Sequence, residues 1–79
     1  MSIFIIYNDK LVKIDQSIIE NESIFSQRIL FLITAIDQGL DIANAETLSY
    51  AFRNRLIYGV KYYPDLEKKI DLILSQINT

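Results

Sequence analysis

In Ser23-Ile24-Phe25-Ser26-Gln27-Arg28-Ile29-Leu30-Phe31-Leu32-Ile33-Thr34-Ala35-Ile36-Asp37-Gln38-Gly39, the residues Phe25, Ile29, Leu32, Ile33 and Ile36 recur at the period of a helix and fall on one stripe. Gly39 ends the helix. Leu30 and Phe31 add apolar surface off that stripe, so the apolar face is wider than the roughly 100° that a surface helix needs. A helix of this kind sits at the centre of a bundle or packs against a second chain. Its start is open between two patterns. Asn21 or Ser23 caps a new helix after a short turn through Ile18 and Ile19 that Asp15 or Ser17 caps, or one helix runs unbroken from Asp15 to Gln38.

The residues before this segment read differently. Ile3-Phe4-Ile5-Ile6-Tyr7 is β-branched and aromatic, Asn8-Asp9 is a turn signal, and Lys10-Leu11-Val12-Lys13-Ile14 reads as a return strand. A short β-hairpin is expected, with a docked extended arm or a first helical turn as the rival. In each case Ile3, Phe4, Ile5 and Ile6 belong to the core or to an interface.

After Gly39, Asn44 is placed to cap a helix from Ala45 to about Tyr58 or Tyr63, with Glu46 near its positive end and Leu48, Ala51, Phe52, Leu56 and Gly59 on its inner stripe. Gly59 reads either as the stop or as a close-packing position in a longer helix. Pro64 opens the last helix, with Asp65 and Glu67 in its first turn and Leu66, Ile70, Ile73, Leu74 and Ile77 inward. The fold class that follows is mainly α, a small three-helix bundle with an N-terminal β-hairpin or extended arm. It forms a single domain over residues 1–79, with the hairpin or arm in 1–14 and helices from 15 or 23 to 38, 45 to 62 and 64 to 77.

Composition narrows the chemistry. Of 79 residues, 51% are apolar, and there is no Cys, His or Trp. Disulfides, thiolate nucleophiles, the commonest zinc ligands and the usual general base near neutral pH are therefore missing. Carboxylates fall at helix ends and in loops: Asp37 and Asp41 flank Gly39, Glu20 and Glu22 bracket a cap, and Asp65 with Glu67 opens the last helix. Capping and solubility explain them, and no oxygen-rich metal loop or Gly-rich phosphate loop is present. No enzyme activity, cofactor or metal is expected. The N-terminus lacks a basic n-region, and Ile29 to Ile36 is less than half of the roughly 20 residues that span a bilayer. A soluble, cytoplasmic protein with no membrane partner is expected.

A net charge of −2 argues against a nucleic-acid partner. The alternative function is a small helix-turn-helix DNA-binding regulator, because Ala35, Gly39 and Leu40 are spaced as in that motif and Arg53 and Arg55 lie on the following helix. Both arginines, however, sit late in the would-be recognition helix. The opening hairpin, with Ile14-Asp15-Gln16-Ser17-Ile18-Ile19 and Ser23-Ile24-Phe25, resembles the start of a BTB/POZ domain. That likeness stops at Phe25, and no function is carried from it.

What remains is an excess of apolar and aromatic surface. Between Arg53 and Tyr63 two arginines, one lysine and three tyrosines crowd together, and Tyr and Arg are enriched at interface hot spots. Arg53, Arg55, Tyr58, Lys61 and Tyr62 are the expected partner-binding residues; Tyr58 and Tyr62 would share one face of a continuous helix while Leu56, Gly59 and Tyr63 serve the core. Ile3, Ile5, Leu30 and Phe31 are the expected self-association residues of a homodimer. The function read from the sequence is a non-enzymatic protein-binding module: an adaptor, a chaperone, an immunity protein or an inhibitor of a larger protein.

Overall fold

Asn8 and Asp9 adopt φ of 51° and 62° in the computed structural model, which describes residues 1–61 and 63–78. Two consecutive positive φ values make the two-residue turn whose twist matches antiparallel strands, and Asn and Asp tolerate that conformation better than other side chains. The turn joins β1 (Ser2–Tyr7) to β2 (Lys10–Asp15), in a register running from Ser2↔Asp15 to Tyr7↔Lys10. The hairpin reading holds over the arm. The pleat then divides the apolar run: Ile3, Ile5, Val12 and Ile14 turn toward the helices, while Phe4, Ile6 and Leu11 face outward and are exposed.

A tight turn follows the hairpin, closed by Glu20 N–H donating to Ser17 C=O at 3.0 Å. Asn21 then caps α1 (Glu22–Asp37), its Oδ1 accepting from Ile24 N–H at 2.8 Å. After β2, residues 16–38 are thus one helix preceded by a turn, and no unbroken helix runs from Asp15. At the far end Gly39 N–H donates to Ile36 C=O and Leu40 N–H to Ala35 C=O, with Gly39 at φ 99°. This pairing is a Schellman stop, and the left-handed residue it needs is the glycine.

The stop leaves only Leu40 before Asp41, which caps α2 (Ile42–Tyr58) by accepting from Asn44 N–H at 2.8 Å. The helix therefore starts three residues before the expected Ala45: Asn44 is a donor inside its first turn and not its cap. It also stops earlier than 62, because Gly59 takes φ 68° and returns its N–H to Arg55 C=O. Pro64 opens α3 (Pro64–Ile77), where a missing N–H removes no helical bond.

The core lies where α1, α2 and α3 meet. Phe31 and Phe52 stack with ring centroids 4.8 Å apart, and Leu32, Leu48, Ile70 and Ile73 close around them. Ala35 and Ala45 are fully buried, and their small size suits close approach of α1 and α2. Phe31 is 0% exposed, so its expected role in self-association is corrected. The wide apolar face of α1 is wide because it serves two neighbours, packing on both α2 and α3. Leu56 and Tyr63, expected in the core, are exposed: Leu56 lies in the last turn of α2 and Tyr63 beyond its end. Among the described residues no helix is long and apolar enough to cross a membrane.

Candidate partner-binding surface

Arg53 and Arg55 stand two residues apart on α2, a rotation of about 200° that sends them to different sides of the helix. Arg53 turns toward the hairpin side. Its guanidinium carbon lies 4.9 Å from the centre of the Tyr50 ring, its Nε and Nη2 donate to Asn54 Oδ1, and its Nη1 is 4.0 Å from Glu20 Oε2. Arg55 turns toward α3. Its Nη1 donates to Glu67 Oε2 at 2.8 Å and to Asp71 Oδ1 at 3.4 Å, and its guanidinium covers the Phe52 ring at 5.9 Å. One arginine thus braces the α2–α3 seam and the other joins a polar cluster on the opposite side.

Tyr58 is 52% exposed in the last turn of α2, and the helical spacing joining it to Tyr62 stops at Gly59. Tyr62 itself lies outside the described residues. Lys61 is exposed, as are Leu56, Val60 and Tyr63. The four described members of the expected partner-binding set, Arg53, Arg55, Tyr58 and Lys61, therefore do not form one helical face. The exposed aromatic and apolar residues gather instead on the end of α2 and the connector to α3, next to the Arg55–Glu67 pair that holds the two helices together.

The cluster on the hairpin side contains a group that the sequence reading assigned only to capping. Glu20 is buried and accepts from Arg28 Nε on Oε2, from Arg28 Nη2 on Oε1 at 3.0 Å, and from Ser17 N–H on Oε1 at 2.7 Å. Arg28 Nη2 also donates to Asp15 C=O at 2.9 Å. The Arg28 guanidinium lies 5.3 Å from the Phe25 ring centre and 5.1 Å from that of Tyr50. Burial pushes the Glu20 carboxyl up, but the Arg28 hydrogen bonds, the Ser17 amide and the charges of Arg28 and Arg53 outweigh it and hold the group below its ordinary value. Asp15 is held low by the Ser2 hydroxyl, with Lys13 adding to the effect. The signal for Arg28 was present in the chain: it lies on the inner stripe with Phe25, Leu32 and Ala35, where a charge needs a buried partner.

Two concave regions complete the surface. A half-open groove of about 510 Å³ runs between α2 and α3, floored by Leu40, Leu48, Leu66 and Ile73. A shallower apolar trough of about 290 Å³ lies between β1 and α1, lined by Met1, Ile3, Ile29, Leu30 and Ile33 among others. The trough brings together Ile3 and Leu30 of the expected self-association set; Ile5 lies half-buried on the inner side of the hairpin. Among the described residues no three His, Cys, Asp or Glu side chains are placed to hold a metal ion. No protein-family model, curated protein or solved structure matches the chain.

Proposed function

We propose that the chain is a non-enzymatic protein-interaction module, an adaptor, chaperone, immunity protein or inhibitor that docks on a larger protein. The observation carrying this reading is the exposure of Leu56, Tyr58, Val60 and Tyr63 together with Lys61 on the end of α2 and the connector that follows. Tyrosine is among the residue types enriched at interface hot spots, its ring supplying contact area and its hydroxyl a polar tip, and Leu56 and Val60 add apolar surface beside the two rings. The Arg55–Glu67 pair and the left-handed stop at Gly59 fix the helix ends around them, so little order has to be gained on binding.

A helix-turn-helix reading finds less support. A recognition helix reads bases from its N-terminal turns, and residues 41–49 here contain Asp41 and Glu46 and no Lys or Arg. Arg53 and Arg55 lie within 4.0 Å of carboxylates.

The test is a nuclease-treated pull-down from the native host with wild type, Tyr58→Ala and Lys61→Ala, read by quantitative mass spectrometry. A defined protein enriched by wild type and lost from both variants, at unchanged circular dichroism and melting temperature, supports the module. Equal recovery by all three chains refutes it, as does salt-sensitive binding of duplex DNA added to the purified chain in a separate titration.

A further inference from the structure

The hairpin register fixes which backbone groups of β1 face away from β2. The two-residue turn makes Tyr7↔Lys10 a hydrogen-bonded pair, and at the other end Gln16 N–H donates to Met1 C=O at 2.8 Å. Between these ends the alternation assigns Ile3 and Ile5 to bonding across to β2. Ser2, Phe4 and Ile6 therefore direct N–H and C=O along the outer edge of β1. The sheet has two strands, and no other described strand pairs there.

The two edges differ in kind. β2 carries Lys10, Lys13 and Asp15, and the outward C=O of Asp15 already accepts from Arg28. β1 reads Ser-Ile-Phe-Ile-Ile-Tyr, with no charge, proline or glycine. Edge strands are ordinarily blunted by lysine, proline or a bulge, and β1 has none of these. The apolar trough lies on the same side: it draws residues from β1 and α1 and none from β2.

We propose that a second copy of this chain adds antiparallel to β1 about a two-fold axis at Phe4, joining two hairpins into one four-stranded sheet. Ile3-Phe4-Ile5 reads the same in both directions, so this pairing sets Phe4 against its own equivalent and Ile3 against the equivalent of Ile5. The three outward pairs exchange about six main-chain hydrogen bonds, two for each pair. An uncharged strand meets itself without repulsion, whereas the same arrangement on β2 would set Lys13 against Lys13. Both inner faces then lie on one side of the joined sheet, and Leu30 and Ile33, exposed at the trough, are covered by the second copy. This interface is separate from the end of α2, so its failure leaves the proposed partner surface untouched.

Sedimentation equilibrium of wild type, Phe4→Pro and Lys13→Pro tests the pairing. Phe4→Pro removes an outward N–H and no hairpin bond, and Lys13→Pro makes the same change on the other edge. Wild type and Lys13→Pro are expected to dimerise, and Phe4→Pro to bind itself at least about tenfold more weakly. A monomeric wild type at high micromolar concentration, or a folded Phe4→Pro that dimerises as tightly as wild type, overturns the proposal. The chain has no cysteine, which allows a second test that survives misfolding of the proline variant. Facing Cα atoms in a hydrogen-bonded pair are about 5.5 Å apart, within disulfide reach, so Phe4→Cys should oxidise to a covalent dimer and Leu11→Cys should not. Equal cross-linking of the two also overturns the proposal.

Discussion

Arg28 of α1 and Glu20 of the preceding turn form a bidentate ion pair whose side chains are 2% and 0% exposed, and the same guanidinium reaches back to the carbonyl of Asp15 at the end of β2. One arginine thereby connects the hairpin, the turn and the first helix. Ile18 is wholly exposed and Ile19 nearly half so, which leaves the turn little apolar burial of its own; the ion pair holds it.

Removing one partner strands the other in the interior. Glu20→Ala or Arg28→Ala should each lower stability by about 3–5 kcal/mol, measured by urea unfolding. The double variant should lose less than the sum, since the second substitution removes the charge that the first left unpaired.

The same pair predicts a pH dependence. The folded Glu20 carboxyl titrates below its ordinary value of 4.5, so the stability it adds is complete above that value and is lost as pH falls through the folded value. The melting-temperature gap between wild type and Glu20→Gln should be widest near neutral pH and narrow in acid. A gap that stays constant down to the acid transition would contradict this assignment.

Phe31 and Leu30 are neighbours in sequence with opposite surroundings. Phe31→Ala empties the stack on Phe52 and should lower stability by about 3–5 kcal/mol. Leu30 is half exposed, and Leu30→Ala should change folding by under about 1 kcal/mol while weakening self-association. Thermal melts and sedimentation of the two variants separate these effects.

Arg55→Ala removes the link to Glu67 across the α2–α3 seam. The pair is partly exposed, so the expected loss is no more than about 1 kcal/mol, and double-mutant analysis with Glu67→Ala should attribute most of it to the pair.

The last helix was legible from Pro64 before an alternation of inward and charged residues. The hairpin was the favoured reading from Asn8-Asp9 between two β-rich runs, though the arm stayed open because the sequence does not show the helices that cover the hairpin's apolar face. The start of α2 was not legible, because Asp41 and Asn44 are both good caps and only the Schellman stop at Gly39 favours the earlier one. The inward positions of α2 include Ala45 and Ala51, while Leu56 and Tyr58 face out. That weak contrast concealed both the rotation of the helix and the separation of Arg53 from Arg55. Phe31 was misplaced for a related reason: a residue off the main stripe reads as surplus until the Phe52 ring of α2 is seen to stack on it. Glu20 and Arg28 are eight residues apart and meet only because the turn at Ser17 folds back, a tertiary fact that helical spacing does not encode.

The central claim is that a protein partner docks on the end of α2 and the connector beyond it, and amide hydrogen exchange tests it most directly. With the chain alone and in complex with the protein recovered from its host, amides from Leu56 through Lys61 should slow on binding, while those of α1 should stay unchanged. Protection confined to β1 or to the first turns of α2, with Leu56 through Lys61 exchanging as in the isolated chain, would contradict the account.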